Sequence, residues 1–264
     1  VNAVLLRGQE HLALGAVGEA AGDEIAVAIT RGGAPKPYGH TDPNEDAALA
    51  MRGPQGTLVA VADGHSGHRG AECALEAVLG AAREWLACRP RSREAWYQLA
   101  LAALVEANEA VRAEQHGGAG TRTTLSFALA RPADDLLVHA ALGDSHLFVV
   151  DSVVAAEIPR PERTWFLGSG ALTPSQAQRY GRIGVEALDL PVAIVAATDG
   201  LSERAIGVAD PAGAVFAAVA AAAAGAAPGA RAAAAARGIV DAALAAHRAH
   251  AAGDNVAAAV AWVP

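Results

Sequence analysis

The chain has 264 residues, 53% of them hydrophobic and 18% charged, with a formal net charge of −8. A composition this apolar excludes disorder and collagen-like structure, and a chain of this length can bury a core that needs neither disulfide nor structural metal. The acidic balance opposes the phosphate attraction on which nucleic-acid binders depend, which argues against a nucleic-acid partner. Cys73 and Cys88 fall in or near one helical pattern without metal-ligand spacing and read as buried, reduced thiols. The apolar run at residues 1–6 is too short for a signal peptide, and the Ala-rich tract 214–227 is too short and too weakly apolar to span a bilayer. The expectation is a cytoplasmic protein with no membrane contact. No linker, repeat or charge run divides it, so residues 1–264 read as one domain.

In chain order, Ile25 to Thr30 reads as a strand, and Asp46 opens a second one, Ala47 to Met51. Leu58 to Ala62 is a buried strand that stops at Asp63. Beyond Gly70, the positions of Leu75, Val78, Leu79, Ala82 and Leu86 follow a 3.6-residue period up to Pro90. Ser92 then caps a second helix with Trp96, Leu99, Ala103 and Val111 on one face. Strands follow at Thr123 to Ala130 and at Leu136 to Leu142, the latter stopping at Gly143-Asp144; Gly143-Asp144-Ser145 reads as a tight hairpin turn into His146 to Val150. Val192 to Ala197 stops at Thr198-Asp199, Ala-rich helices occupy about 211–224 and 229–249, and Asp254-Asn255 precedes a last strand, Val256 to Val263. Antiparallel strands in runs, with helices in pairs, argue for a layered α+β sandwich over a doubly wound parallel sheet.

Acids therefore stand at five strand ends: Asp46, Asp63, Asp144, Asp199 and Asp254. A lone Asp-Gly is usually a turn or cap residue. Five such acids suggest something else, because hard divalent cations take carboxylate oxygens gathered from distant parts of a chain. Glu45, Asp46, Asp63, Asp199 and Asp254 are the candidates. Two carboxylates 4 Å apart repel by about 4 kcal/mol at an effective dielectric near 20, so their convergence demands cations or protons. Gly64-His65-Ser66-Gly67 lacks the spacing of a serine nucleophile elbow, which leaves a serine hydrolase poorly supported.

The segments Asn44-Glu45-Asp46, Val61 to His68, Ala141 to Ser145, Ala197 to Leu201 and Gly253-Asp254-Asn255 resemble, in order, the signature motifs of the metal-dependent serine/threonine protein phosphatases, the protein phosphatase 2C family, bacterial type. The resemblance spans about residues 38–263. It implies a four-layer α-β-β-α sandwich with two central, mainly antiparallel sheets. It further implies two Mn²⁺ or Mg²⁺ ions bridged by Asp63, with the Gly64 carbonyl and Glu45 serving one ion, and Asp199 and Asp254, with Asp46 in the outer shell, serving the other. Asp144 and Glu203 match positions that hold a third, weaker ion in many bacterial relatives, although aspartate is usual where Glu203 stands. His65 matches the general acid that protonates the leaving alkoxide. The implied reaction is hydrolysis of phosphoserine and phosphothreonine in proteins by a metal-activated water, opposing a Ser/Thr kinase.

Besides Glu203, the pattern departs from the family in two places. Thr41 occupies the position where many members place a phosphate-clamping arginine. His40 beside it is the candidate phosphate-binding residue, while Arg31, Lys36 and Arg52 are near in sequence only. The segment between Asp151 and Pro191 is short and lacks the family pattern, so substrate choice is not inherited. A catalytically weak phosphoprotein-binding module and a phosphatase for a small phosphorylated metabolite remain as alternatives.

Overall fold

The computed structural model describes residues 1–115, 120–188 and 193–263, so the predicted strand start at Val192 lies outside the described residues. Alternation along the strands sets the architecture. In β3 (Ile25–Thr30), Ile25, Val27 and Ile29 face one apolar layer and Ala26 and Ala28 another. A strand buried on both faces needs a packed layer on each side.

The first sheet runs, in spatial order, β1 (Asn2–Arg7), β4 (Ala47–Gly53), β5 (Gly56–Ala62), β8 (Leu125–Arg131), β9 (Leu136–Leu142) and β12 (Arg182–Glu186). The second runs β11 (Ala155–Glu157), β10 (His146–Val150), β13 (Ala193–Ala197), β14 (Val256–Trp262), β3 and β2 (Val17–Gly22). Neighbouring strands are antiparallel throughout. A short third pairing joins β6 (Gly64–His65) to β7 (Arg122–Thr123).

Helices α1 (Arg69–Trp85) and α2 (Arg93–Glu114) cover the first sheet, with the short α3 (Pro174–Tyr180) against α2. Helices α4 (Pro211–Gly225) and α5 (Arg231–His250) cover the second. The order of layers is α-β-β-α, as the sequence implied. Ser92 caps α2, its Oγ accepting the Ala95 amide at 3.2 Å. The layer between the sheets is rich in alanine, with Ala48, Ala50, Ala128, Ala257, Ala259 and Ala261 all buried there. Among the described residues, no helix is long and apolar enough to cross a membrane.

Three expectations need correction. Gly143-Asp144-Ser145 does not close a hairpin: β9 lies in the first sheet and β10 in the second, so this turn, with Gly143 at φ +98°, carries the chain across the sandwich. The predicted strand from Thr123 to Ala130 breaks at Thr124, because Thr123 pairs with β6 and the rest with β5 and β9. Cys73 is buried, but Cys88 is only half-buried; both are free thiols. Strands β1 and β2 were not read from the sequence, since neither carries a clear alternation.

One buried charge locks helix to sheet. Arg131 is wholly buried and donates from Nη1 to the Trp85 carbonyl at 2.6 Å, from Nη2 to the Cys88 carbonyl at 3.2 Å, and from Nε to Asp134. Its guanidinium lies 4.9 Å from the Trp96 ring centroid. A cation thus meets the carbonyl end of α1 and a carboxylate together. Arg131→Met should lower unfolding free energy by about 3–5 kcal/mol, the usual effect of orphaning a buried ionic partner. Denaturant titration measures this; a loss under about 1 kcal/mol would contradict the role.

Candidate metal centre

Antiparallel pairing collects the strand-end acids. Ala47 pairs with Ala62, which places Asp46 and Asp63 just beyond the same end of β4 and β5. Leu125 pairs with Leu142, which brings the Gly143-Asp144 turn to that end as well. In the second sheet Ala197 pairs with Ala258, so Asp199 and Asp254 leave neighbouring strands together. The two sheets contribute to one cleft of about 680 Å³, lined by His40, Glu45, Asp63, Gly64, His65, Asp144, Asp199, Glu203 and Asp254, with Lys36, Tyr38, Thr41 and Phe166 among the other walls.

Asp63, Asp144 and Asp199 each bring a carboxylate oxygen within 4.8 Å of those of the other two. Asp254 lines the same cleft, with its Oδ1 3.1 Å from Lys36 Nζ. Asp46 lies behind the cleft, where its Oδ2 accepts the Thr198 hydroxyl at 2.7 Å. Glu45 also lines the cleft, with Oε1 accepting the amides of Thr41 at 3.2 Å, Asp42 at 3.1 Å and Gly67 at 2.6 Å. His65 stands at the cleft edge with Nε2 3.8 Å from Asp63 Oδ2, its ring edge-on to Phe166 with centroids 4.3 Å apart.

The electrostatics are those of anions held too close. Burial, then repulsion from Asp199, Asp46 and Asp254, holds Asp63 well above the usual carboxylate range. Burial, then Asp254 and Asp144, does the same to Asp199. Asp46 is pushed up to about 7, chiefly by burial, with Lys36 opposing and Asp254 adding to the shift. Burial lowers the His65 pKa, against the pull of Asp144 and Glu45. Asp144 Oδ1 is buried without a hydrogen-bond partner. An all-oxygen donor set, an orphaned carboxylate oxygen and surplus negative charge fit hard divalent ions such as Mg²⁺ or Mn²⁺.

A set of neutral residues that the sequence reading overlooked fixes these acids. The Asp63 amide donates to Thr124 Oγ1 at 2.9 Å, and the Asp63 carbonyl accepts the Thr123 hydroxyl at 2.8 Å. Thr198 Oγ1 accepts the Ala257 amide at 2.9 Å while donating to Asp46. Gly33 donates its amide to His247 Nδ1 at 3.2 Å, so the neutral ring donates from Nε2 to the Gly200 carbonyl at 2.9 Å and steadies the turn that carries Asp199. A Cβ on Gly200 would overlap the Asn255 carbonyl, which explains glycine there. Asn255 Oδ1 accepts the Glu45 amide at 2.9 Å, and its Nδ2 donates to the carbonyls of Pro43 at 2.9 Å and Arg31 at 3.1 Å. The signal available was adjacency: Thr198 and Asn255 each flank a motif aspartate. Lys36 carried no such signal, and its place in the cleft overturns the expectation that it is near in sequence only.

Asn255→Ala, which frees the Glu45–Asp46 segment, should weaken Mn²⁺ affinity by roughly 10–100-fold, the range for partners that orient ligands. It should also lower stability by about 1–3 kcal/mol through the orphaned backbone groups. Calorimetric titration and denaturant unfolding measure both, and unchanged affinity would refute the positioning role.

Comparison with known proteins agrees with this geometry. The family model described as protein phosphatase 2C matches residues 38–220. No curated protein matches. Among solved structures, the fold is similar to the serine/threonine phosphatase Stp1 from Staphylococcus aureus, with TM-score 0.63, 15% identity, and 96% of this chain and 98% of that one covered. It is likewise similar to the Mycobacterium tuberculosis serine/threonine phosphatase PstP/Ppp, with TM-score 0.59, 21% identity, and coverage of 94% and 98%. The PstP catalytic domain in complex with two manganese ions aligns with TM-score 0.59 and 21% identity over 94% of this chain and 100% of that one. At these identities the structural likeness establishes the fold, and the family model, which matches well over half the sequence, establishes the lineage. The chain belongs to the protein phosphatase 2C family of metal-dependent serine/threonine phosphatases.

Proposed function

We propose that this phosphatase removes phosphate from phosphoserine and phosphothreonine in cytoplasmic proteins, opposing a Ser/Thr kinase, with residues 1–264 acting as one domain. The observation that carries the site assignment is the meeting of the Asp63, Asp144 and Asp199 carboxylates in one cleft that His65 also lines. In this reading Asp63, the Gly64 carbonyl, Asp199 and Asp254 hold two ions, Glu45 and Asp46 support them, and Asp144 with Glu203 serves a third. The manganese in the PstP catalytic domain supports Mn²⁺ as one metal that suits such a site.

Bound divalent ions supply the positive charge and the acidified water that hydrolysis of a phosphate monoester requires. The chain's own residues do the rest. The carboxylates fix where that charge sits; the Gly67 amide holds the Glu45 carboxylate, and Thr124 Oγ1 anchors the Asp63 backbone. Phe166 packs against the His65 ring nearly at right angles and supports it in the cleft. A phosphoryl dianion arriving beside this ring favours its protonated form, which lets Nε2 give a proton to the departing Ser or Thr oxygen. Phosphate oxygens are received on the side formed by His40 and Lys36, since Thr41 offers no charge and Lys36 is the one Lys or Arg among the described residues of the cleft wall.

Purified protein with millimolar Mn²⁺ should release phosphate from a phosphothreonine peptide. Asp199→Asn should reduce the rate by more than about 100-fold, because even residues that only orient ligands account for 10–100-fold. Full activity in the variant would refute the ligand assignment, and a clear preference for phosphorylated metabolites over peptides would refute the protein-substrate claim.

A further inference from the structure

Lys36, the chain's one lysine, sits between Pro35 and Pro37 in a strap that packs on the turn before β14. The Gly253 amide donates to the Pro35 carbonyl at 3.0 Å, and Gly253 lies so close to Ala34 that a Cβ there would overlap the Ala34 carbonyl. Two prolines restrict the strap's backbone and the Gly253 bond fixes its position, so the ammonium is delivered to Asp254 intramolecularly. Nζ lies 3.1 Å from Asp254 Oδ1, an oxygen that also accepts the Asn255 amide at 2.7 Å. The two side chains are only 6% and 9% exposed, and the Tyr38 ring centroid lies 5.5 Å from Nζ.

We infer that Lys36 is a displaceable internal counter-ion of the metal centre, competing with a divalent cation for Asp254. The inference rests on the reading of Asp254 as an ion ligand. A monovalent ammonium hydrogen-bonded to that carboxylate and a divalent ion on the same carboxylate repel strongly in so buried a site. One must leave. The lysine can: its stem is a flexible four-carbon chain rooted on the cleft wall, and the cleft beside it is open. Swung out, the ammonium remains in the cleft and is free to meet phosphate oxygens. Ion loading at Asp254 and the cationic charge offered to phosphate are thereby linked, and such coupling is reciprocal.

The test is a Mn²⁺ binding isotherm, by calorimetry or by electron paramagnetic resonance of free Mn²⁺, for the whole chain and for Lys36→Met and Lys36→Gln, with folding checked by circular dichroism. The inference predicts that the weaker binding step tightens by about tenfold or more in the variants, the consequence of removing a contact charge of like sign. A second ion bound by the variants and absent from the unsubstituted protein would support it equally. Two ions bound with the same affinity, or more weakly, in a folded variant would overturn the counter-ion while leaving the metal centre intact. No Mn²⁺ bound by any of the three proteins would overturn both; if Lys36→Met does not fold, Lys36→Gln decides.

Discussion

Asp46 and Asp254, both buried, repel Asp63 and Asp199 at the end of the sandwich, and the rest of the site is arranged around that repulsion. A pair at 4 Å repels by about 4 kcal/mol at an effective dielectric near 20, a large fraction of the 5–15 kcal/mol that stabilises an ordinary domain. The scaffold withstands this because the acids sit at strand ends, where the ladder stops but the strands behind remain locked between two apolar layers. Positive charge that enters the cleft is therefore bound with the energy that the repulsion stores. One such charge, Lys36, is already built into the chain, and the oxygen ligands suit the others.

The two sheets do separate work. The first supplies Asp46, Asp63 and Asp144; the second supplies Asp199 and Asp254. Side-chain hydrogen bonds join them: Thr198 of the second sheet donates to Asp46 of the first, and Asn255 holds the Glu45 amide. Disturbing the packing between sheets thus alters the site without touching a ligand. The small alanines of the layer between them allow the sheets to approach, which brings acids from both into one cleft.

Much of this was legible in the sequence, for definite reasons. Apolar runs ending in Asp63, Asp144 and Asp199 give strand ends and acids at once, and Ser92 and the apolar periodicity before and after it give the helix pair. The order of five motifs added the family, hence the two-sheet layering that local patterns could not supply. What escaped depended on the third dimension. Whether Gly143-Asp144-Ser145 turns back within a sheet or crosses to the other is decided by packing, since the same turn chemistry serves both. The roles of Thr123, Thr124 and His247 come from partners 47 to 214 residues distant in sequence. Lys36 lies outside every motif and reaches the cleft only because the strap lies against the Gly253-Asp254 turn.

The central claim is that this acid cluster is completed by divalent cations, and thermal unfolding against Mn²⁺ concentration tests it most directly. A ligand bound only by the native state stabilises it by about 2.7 kcal/mol at 100 times its dissociation constant. For a chain of this size that is a rise of roughly 5–10 °C in midpoint, increasing with the logarithm of Mn²⁺ and reversed by chelation. A midpoint that does not move from chelator to millimolar Mn²⁺ would contradict the account, since the carboxylates would then be balanced by protons and Lys36 alone.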